Sequence, residues 1–276
     1  GEPVHDESFV GLVDFISGHN LTLEKGSSYE LAADHLRLNT AKSSSDSTTF
    51  SAAHPEIALA YTNRAFTLEM HLVNAGHFNG GYTMSFGQKN TSNRCLSFYD
   101  WSNKAYDGVM VWDTSGASSG VADPGLNKHH TVTFVAEGGT AYKFYIDGVL
   151  KKSLSKTQGT LADDVLALGG GHISGGMTEP QSYYSIRAYN RVLSADEIAM
   201  NRAFDRMRFE GVPFEEAFGD GWRMSPDGEA LQCRVRVVSP VIGVDIGVVN
   251  FTTGTNDFWV THGERVTVYA QTAPGQ

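Results

Sequence analysis

Cysteine is nearly missing from this chain. Only Cys95 and Cys233 occur, far apart in sequence, too few and too distant for the disulfide framework of a small secreted domain or for a four-ligand metal site. Each is expected to be an isolated buried thiol. Positive charge is scarce as well. Lys and Arg total 21 against 31 Asp and Glu, a formal net charge of −10, and no basic run offers a footprint for a phosphate backbone, which excludes nucleic acid as a partner. No apolar run reaches the roughly 18 residues that a membrane-spanning helix needs. The longest, Val241 to Val249, is broken by Asp245. The first residues, Gly1-Glu2-Pro3, bring no initiator Met, basic leader or apolar h-region, and are read as the start of a mature segment or a cloned fragment.

What is present points to strands and turns. The 276 residues include 30 Gly and 11% aromatics with only 19% charged residues, a mix unlike that of a helical bundle. This length is about two domains as a prior, although a single all-β sandwich can use 200 or more residues. Phe66, Leu68, Met70 and Leu72 alternate with Thr67, Glu69 and His71, the pattern of a strand buried on one face. The same period recurs in Thr131 to Val135 and in Tyr142 to Ile146, with Glu137-Gly138-Gly139-Thr140 as the turn of a hairpin between them. Asp147-Gly148 makes a second tight turn into Val149-Leu150, its Gly free to take positive φ. Further strands are expected over 82–86, 95–99, 109–112, 165–168 and 183–189, and Lys42 to Thr49 reads as a solvated loop.

One helix is announced by the capping box Ser194-Ala195-Asp196-Glu197. It is expected to run to about Arg208, anchored on a sheet edge by Ile198, Phe204 and Met207, and to stop at Gly211 and Pro213. Beyond it, strands are expected over 231–238, 241–249, 257–261 and 265–271. The boundary is placed near 210 to 220, giving a first domain over 1–210 and a small β module over 211–276, short enough to lean on a neighbouring domain for its stability.

Two segments resemble a known family. Lys128-His129-His130-Thr131-Val132-Thr133-Phe134 followed by Phe144-Tyr145-Ile146-Asp147-Gly148-Val149-Leu150 is similar to the signature hairpin of laminin-G-like domains in the concanavalin A-like lectin/glucanase superfamily. Ile186-Arg187-Ala188-Tyr189-Asn190-Arg191-Val192-Leu193-Ser194-Ala195-Asp196-Glu197-Ile198 is similar to that family's closing strand and helix. The resemblance implies an all-β fold, a two-sheet antiparallel jelly-roll sandwich over about residues 8–208, followed by the small β module. Leu126 and Asn127 stand where the family usually has Trp before its His, and Gln181-Ser182-Tyr183-Tyr184 replaces the usual Gly-x-Ile-Asp, so no binding site is carried over. Gly263 to Ala270 resembles the last strand of bacterial immunoglobulin-like surface repeats.

Catalytic patterns are missing. Glucanases of the superfamily carry Glu-x-Asp-x-Glu on one strand face, and no Glu here is followed two residues later by Asp. Glu215-Glu216 and Asp163-Asp164 are adjacent, and neighbours on a strand point to opposite faces. Gly116-Ala117-Ser118-Ser119-Gly120 has the form of a nucleophile elbow but runs on into a turn instead of a helix. Gly169-Gly170-Gly171-His172 lacks the rest of a dinucleotide fingerprint. The chain is therefore expected not to be an enzyme. None of the ten His form helical ligand pairs, and of the adjacent His129 and His130 one is expected to face the core with a hydrogen bond.

Sugar rings pack their C–H faces on aromatic planes while their hydroxyls need polar partners. Tyr99, Trp101 and Tyr106 bracket Asp100 and Asn103, with Asp107 next in line, while Asn79 and Tyr82 frame a second polar-aromatic loop. Tyr99 and Trp101 face opposite to Leu96 and Phe98, and either pair can be the core pair. Core packing is also open for Trp112. Asp100, Asn103 and Asp107 form the best oxygen cluster for Ca2+, against an Asx-rich turn. The expected function is a non-catalytic binding module of a secreted or cell-surface bacterial protein, with glycan as ligand. The alternatives are a structural or adhesive domain that meets a cell-surface protein, and a glycoside hydrolase built on other residues.

Overall fold

The computed structural model describes residues 11–12, 19–25, 28–39, 49–63, 65–75, 82–87, 96–101, 108–113, 116–117, 125–138, 141–155, 161, 164–168, 180–236, 244–249, 257–262 and 267–272. In chain order the strands of the first part are β1 (Gly11–Leu12), β2 (Leu21–Lys25), β3 (Tyr29–Leu31), β4 (Leu36–Leu38), β5 (Thr49–Ala53), β6 (Ala65–Asn74), β7 (Tyr82–Phe86), β8 (Leu96–Trp101), β9 (Gly108–Asp113), β10 (Gly116–Ala117), β11 (His129–Glu137), β12 (Ala141–Ile146), β13 (Val149–Ser155), β14 (Val165–Leu168) and β15 (Gln181–Tyr189). Helix α1 (Pro55–Thr62) precedes β6, and α2 (Ala195–Phe209) follows β15. By compactness the chain divides into Gly1–Asp205 and Arg206–Gln276.

The first unit is an antiparallel sandwich. One sheet has eight strands in the order β1-β2-β5-β14-β7-β8-β9-β10, and the other seven in the order β13-β12-β11-β6-β15-β4-β3. The apolar positions of the two sheets meet in one core. Phe50, Met84, Phe86, Leu166 and Leu168 of the first sheet join Phe66, Leu68, Met70, Leu72, Phe134 and Phe144 of the second, all buried. At roughly 25 cal/mol per Å² of apolar surface, filling this slab is the main force that holds the sheets together. The β12–β13 turn is the tight one expected, with φ of 53° at Asp147 and 77° at Gly148, the twist-matched geometry of a two-residue hairpin.

The other face of the seven-stranded sheet corrects the reading of β6. Thr67, Glu69 and His71 do not face water; all are fully buried, because α2 lies across that face. The helix starts as its capping box predicts. Ser194 N–H donates to Glu197 Oε2 at 2.8 Å and Glu197 N–H to Ser194 Oγ at 3.2 Å. Its anchors differ from those expected. Ile198 packs with Val135, Tyr145 and Leu193, whereas Phe204 and Met207 keep 39% and 36% of their surface exposed. With 3.6 residues per turn, positions 198, 201, 202 and 205 share one stripe, and 204 and 207 fall outside it. Gly148 lets the helix come close: a Cβ there would stand 3.3 Å from Ala199 Cα.

Helix α1 was not foreseen. Pro55 opens it in a position where a missing N–H costs nothing. Tyr61 at its end is buried edge-on against Phe66, ring centres 5.3 Å apart.

The second unit contains α3 (Phe214–Phe218), β16 (Trp222–Met224), β17 (Leu231–Arg236), β18 (Val244–Val249), β19 (Asp257–Thr261) and β20 (Thr267–Thr272). Strands β16-β17-β19 form one sheet, and β18 pairs with β20. Phe214 stacks on Phe218 with centres 4.7 Å apart, and Phe218 leans on Trp222 at 6.2 Å. Cys233 on β17 is a free thiol and half-buried rather than buried; Cys95 lies outside the described residues.

Candidate functional site

Strand register brings one set of strand ends to a common rim of the sandwich. Asn74 pairs with Gln181, Val73 with His129, Leu168 with Phe50 and Met84, Tyr82 with Tyr99, and Trp101 with Gly108. Three register shifts gather at this end: at Glu24 against β5, at Thr83 against β8 and at Tyr184 against β6. Such bulges bend a strand and re-aim its side chains, and they concentrate at sheet edges and beside binding sites.

Of the sequence-predicted site residues, those within the described strands fall on this rim. Tyr82, Tyr99, Asp100 and Trp101 are placed as strand backbone: Asp100 pairs with Val109, and Tyr99 pairs with Met110 as well as with Tyr82. Asn79, Asn103, Tyr106 and Asp107 lie outside the described residues, and with them most of the cluster considered for Ca2+. Leu96 and Phe98 stand in register with Phe86 and Met84, which are buried. Trp112 pairs with Ser97 and Ala117 in the backbone ladder.

Sequence reasoning missed the polar groups that close the core at this rim. Asn74, Gln181 and Tyr183 are buried. Gln181 Nε2 donates to Asn74 Oδ1, and the Tyr183 hydroxyl donates to Gln181 Oε1 at 2.6 Å. The Asn127 N–H donates to the Asn74 carbonyl at 2.7 Å, with Asn127 itself at φ 55°. A chain of satisfied hydrogen bonds thus ends the apolar slab and fixes the strands from which the rim is built. His130 meets the expectation of a core-facing imidazole: it is buried, and its Nδ1 donates to Asp147 Oδ2 at 2.8 Å.

The chemically richest cluster lies under α2. Arg187 donates through both Nη atoms to Asp205, at 2.9 Å for Nη1 to Oδ2, and stands 3.5 Å from Glu69 Oε1. Glu69 also accepts from Thr133 Oγ1 at 3.0 Å and from Asn201 Nδ2 at 2.8 Å. Burial pushes the Glu69 carboxyl up, opposed by the Arg187 charge and these hydrogen bonds. Burial likewise drives His71 down to about 3, against the pull of Asp205. Thr131 donates its one hydroxyl proton to Asp205 Oδ2 at 3.4 Å and so accepts from His71 Nδ1 at 2.9 Å. His71 Nε2 then accepts from His129 Nδ1 at 3.0 Å, and the two rings stack with centres 5.2 Å apart. Asp147 is held low: burial would raise it, but the His130 hydrogen bond, the Thr131 N–H and the Arg202 charge outweigh that.

Glu69 and Asp205 are 0% exposed. Their carboxylates are spent on Arg187 and on neighbouring hydroxyl and amide groups, closed to any sugar, so this cluster fastens helix to sheet. The one signal for it in the sequence was the polar Thr67-Glu69-His71 face, which an exposed strand would share.

No curated protein is significantly similar to this chain in sequence. Among solved structures the chain is similar to the sialidase of Trypanosoma rangeli, with a TM-score of 0.56 and 15% identity over 77% of this chain and 33% of that one. It is also similar to the receptor binding domain of botulinum neurotoxin C/D mosaic serotype, with a TM-score of 0.51 and 15% identity over 70% of this chain and 48% of that one. The binding domain of botulinum neurotoxin DC in complex with SialylT gives a TM-score of 0.50 and 12% identity over 68% and 47%. At these identities the likeness is one of fold, and the chain spans about a third to a half of the length of these proteins. Residues 32–199, more than half of the chain, match the laminin G-type family described as Concanavalin A-like lectin/glucanases superfamily. A two-sheet sandwich closed by a capped helix and that match lead to one conclusion: the chain belongs to the laminin-G-like family of the concanavalin A-like superfamily.

Proposed function

We propose that the chain is a non-catalytic carbohydrate-binding module whose ligand site is the rim that collects Tyr82, Tyr99 and Trp101. The observation that carries this reading is the register of β7, β8 and β9. Leu96 and Phe98 sit opposite buried Phe86 and Met84, so Tyr99 and Trp101 occupy the alternate positions of β8, next to a bulge at Thr83. Aromatic residues alternating with Asp100 and followed by Asn103 and Asp107 supply the stacking planes and polar partners that pyranose rings need. In support, one similar fold is a sialidase determined in complex with sialic acid and another a binding domain in complex with SialylT.

A secreted or cell-surface setting in a bacterium fits this role. Among the described residues no helix is long and apolar enough to cross a membrane. The second unit, read as a surface-repeat module from Gly263 to Ala270, would connect the lectin-like unit to its support. A glycan array probed with the pure full chain tests the reading. Binding to a defined subset of glycans, all recovered uncleaved, is expected. Binding to none, or turnover that survives repurification and vanishes with one carboxylate substitution, overturns it.

A further inference from the structure

In an acidic chain, arginines readily find carboxylates. Partly buried Arg187, Arg202 and Arg206 and exposed Arg191 each do so. Arg223 on β16 does not. It is exposed, it forms no ion pair among the described residues, and its guanidinium lies over the indole of Trp259, 4.5 Å from the ring centre. Its Nε donates to Gln232 Oε1 at 2.9 Å. Register fixes which groups surround it: Arg223 pairs with Gln232, Gln232 with Thr261, and Arg234 with Trp259. Directly paired residues share a face, so Arg223, Gln232, Arg234, Trp259 and Thr261 stand on one side of this sheet, and the Arg236–Asp257 backbone pair follows in the same alternation at the far end from Arg223. The other side carries Trp222, Cys233 and the buried Val260.

We propose that this face of the second unit is a binding site for the carboxylate of an acidic sugar, with Arg223 as the anion-binding fork. Stacking on Trp259 and the bond from Nε hold the guanidinium plane before any ligand arrives, so little side-chain freedom is left to lose on binding. The two Nη groups form a planar fork that matches a carboxylate in bidentate fashion, as an ammonium does not. Gln232 and Thr261 beside the fork are neutral groups suited to ring hydroxyls, and half-buried Trp259 offers apolar surface to ring C–H groups. A single guanidinium fork stacked on an indole suits a sugar with one carboxylate, whereas a polyacidic peptide calls for a continuous basic track. This inference rests on the carbohydrate-binding reading above but uses a different site.

The test is calorimetric titration of the full chain with glucuronic acid, N-acetylneuraminic acid, glucose, inorganic sulfate and a poly-glutamate peptide. The variants are Arg223→Gln, Arg223→Lys, Trp259→Phe and, at the rim, Trp101→Ala. The expected result is binding of at least one acidic sugar, weakened more than tenfold by Arg223→Gln and severalfold by Arg223→Lys, and weakened further by salt. Trp101→Ala should leave it unchanged. Circular dichroism identical to that of the parent keeps the Arg223 variants interpretable. The proposal is overturned if neither acidic sugar binds, if Arg223→Gln leaves acidic-sugar affinity intact, or if sulfate or poly-glutamate binds as tightly as the sugar. Glycan binding that never depends on Trp101, with the acidic sugar still held through Arg223, would refute the rim assignment and support this one.

Discussion

Arg187 on β15 and Asp205 on α2 are joined by two parallel hydrogen bonds, from Nη1 to Oδ2 at 2.9 Å and from Nη2 to Oδ1. Asp205 is fully buried, and it also accepts from Ser185 Oγ at 3.3 Å. Removing one partner of such a pair leaves a charge without compensation, which typically costs about 3–5 kcal/mol. Asp205→Ala is therefore expected to lower the urea midpoint sharply. Asp205→Asn, which keeps the shape and one acceptor, should lose less. Equal losses for the two would show that the charge pair contributes nothing beyond packing.

Gly148 serves two needs at once. Its φ is 77°, and a methyl group there would press on Ala199 Cα at 3.3 Å. Gly148→Ala should destabilise by about 1–3 kcal/mol, through the left-handed backbone and the displaced helix. Ala at the Gly138 position, which has φ 63° but nothing within 4 Å, should cost only the backbone part. Comparing the two by thermal melting separates the terms.

His71 gives the fold a predictable pH response. Burial lowers its folded value to about 3 from an ordinary 6.5, so below pH 6.5 the unfolded chain binds a proton that the folded chain refuses. Stability from this group is whole above about 6.5 and is lost as pH falls toward 3, at up to about 1.4 kcal/mol per pH unit. Glu69 is raised by burial and works in the opposite sense, losing stability as pH rises through its ordinary value of 4.5. The His71 contribution is isolated by a variant. The stability gap between the parent and His71→Gln should shrink steadily from pH 7 to pH 5; a constant gap would mean that His71 titrates normally.

Trp101 decides the rim assignment. If it stacks on a sugar, Trp101→Ala should lose roughly 1–3 kcal/mol of affinity, about 5- to 150-fold, with the melting temperature unchanged. A core role would instead cost about 3–5 kcal/mol of stability. A destabilised variant, or a stable one that binds as before, removes the segment from 99 to 107 as the site.

The sequence by itself determined the local elements. Period-two alternation marked β6, β11 and β12, Asp147-Gly148 marked a two-residue turn, and Ser194 with Glu197 marked the first residue of α2, because each depends on neighbours within a few positions. The motifs around these elements also carried the family. What covers each face was decided only by tertiary structure. Alternation separates Phe66, Leu68 and Met70 from Thr67, Glu69 and His71, but it is the same whether the second set meets water or a helix. Only the packed chain shows Glu69 beneath Asn201 and Asp205 beside Arg187. Helix α1 escaped notice for a related reason: His54 gives it no side-chain cap, and its eight residues are too few to display a period. The rim, too, is a product of long-range register. Tyr82 meets Tyr99 across consecutive strands and Asn74 meets Gln181 across strands far apart in sequence, and burial of the shared core selects those pairings over a one-residue slip.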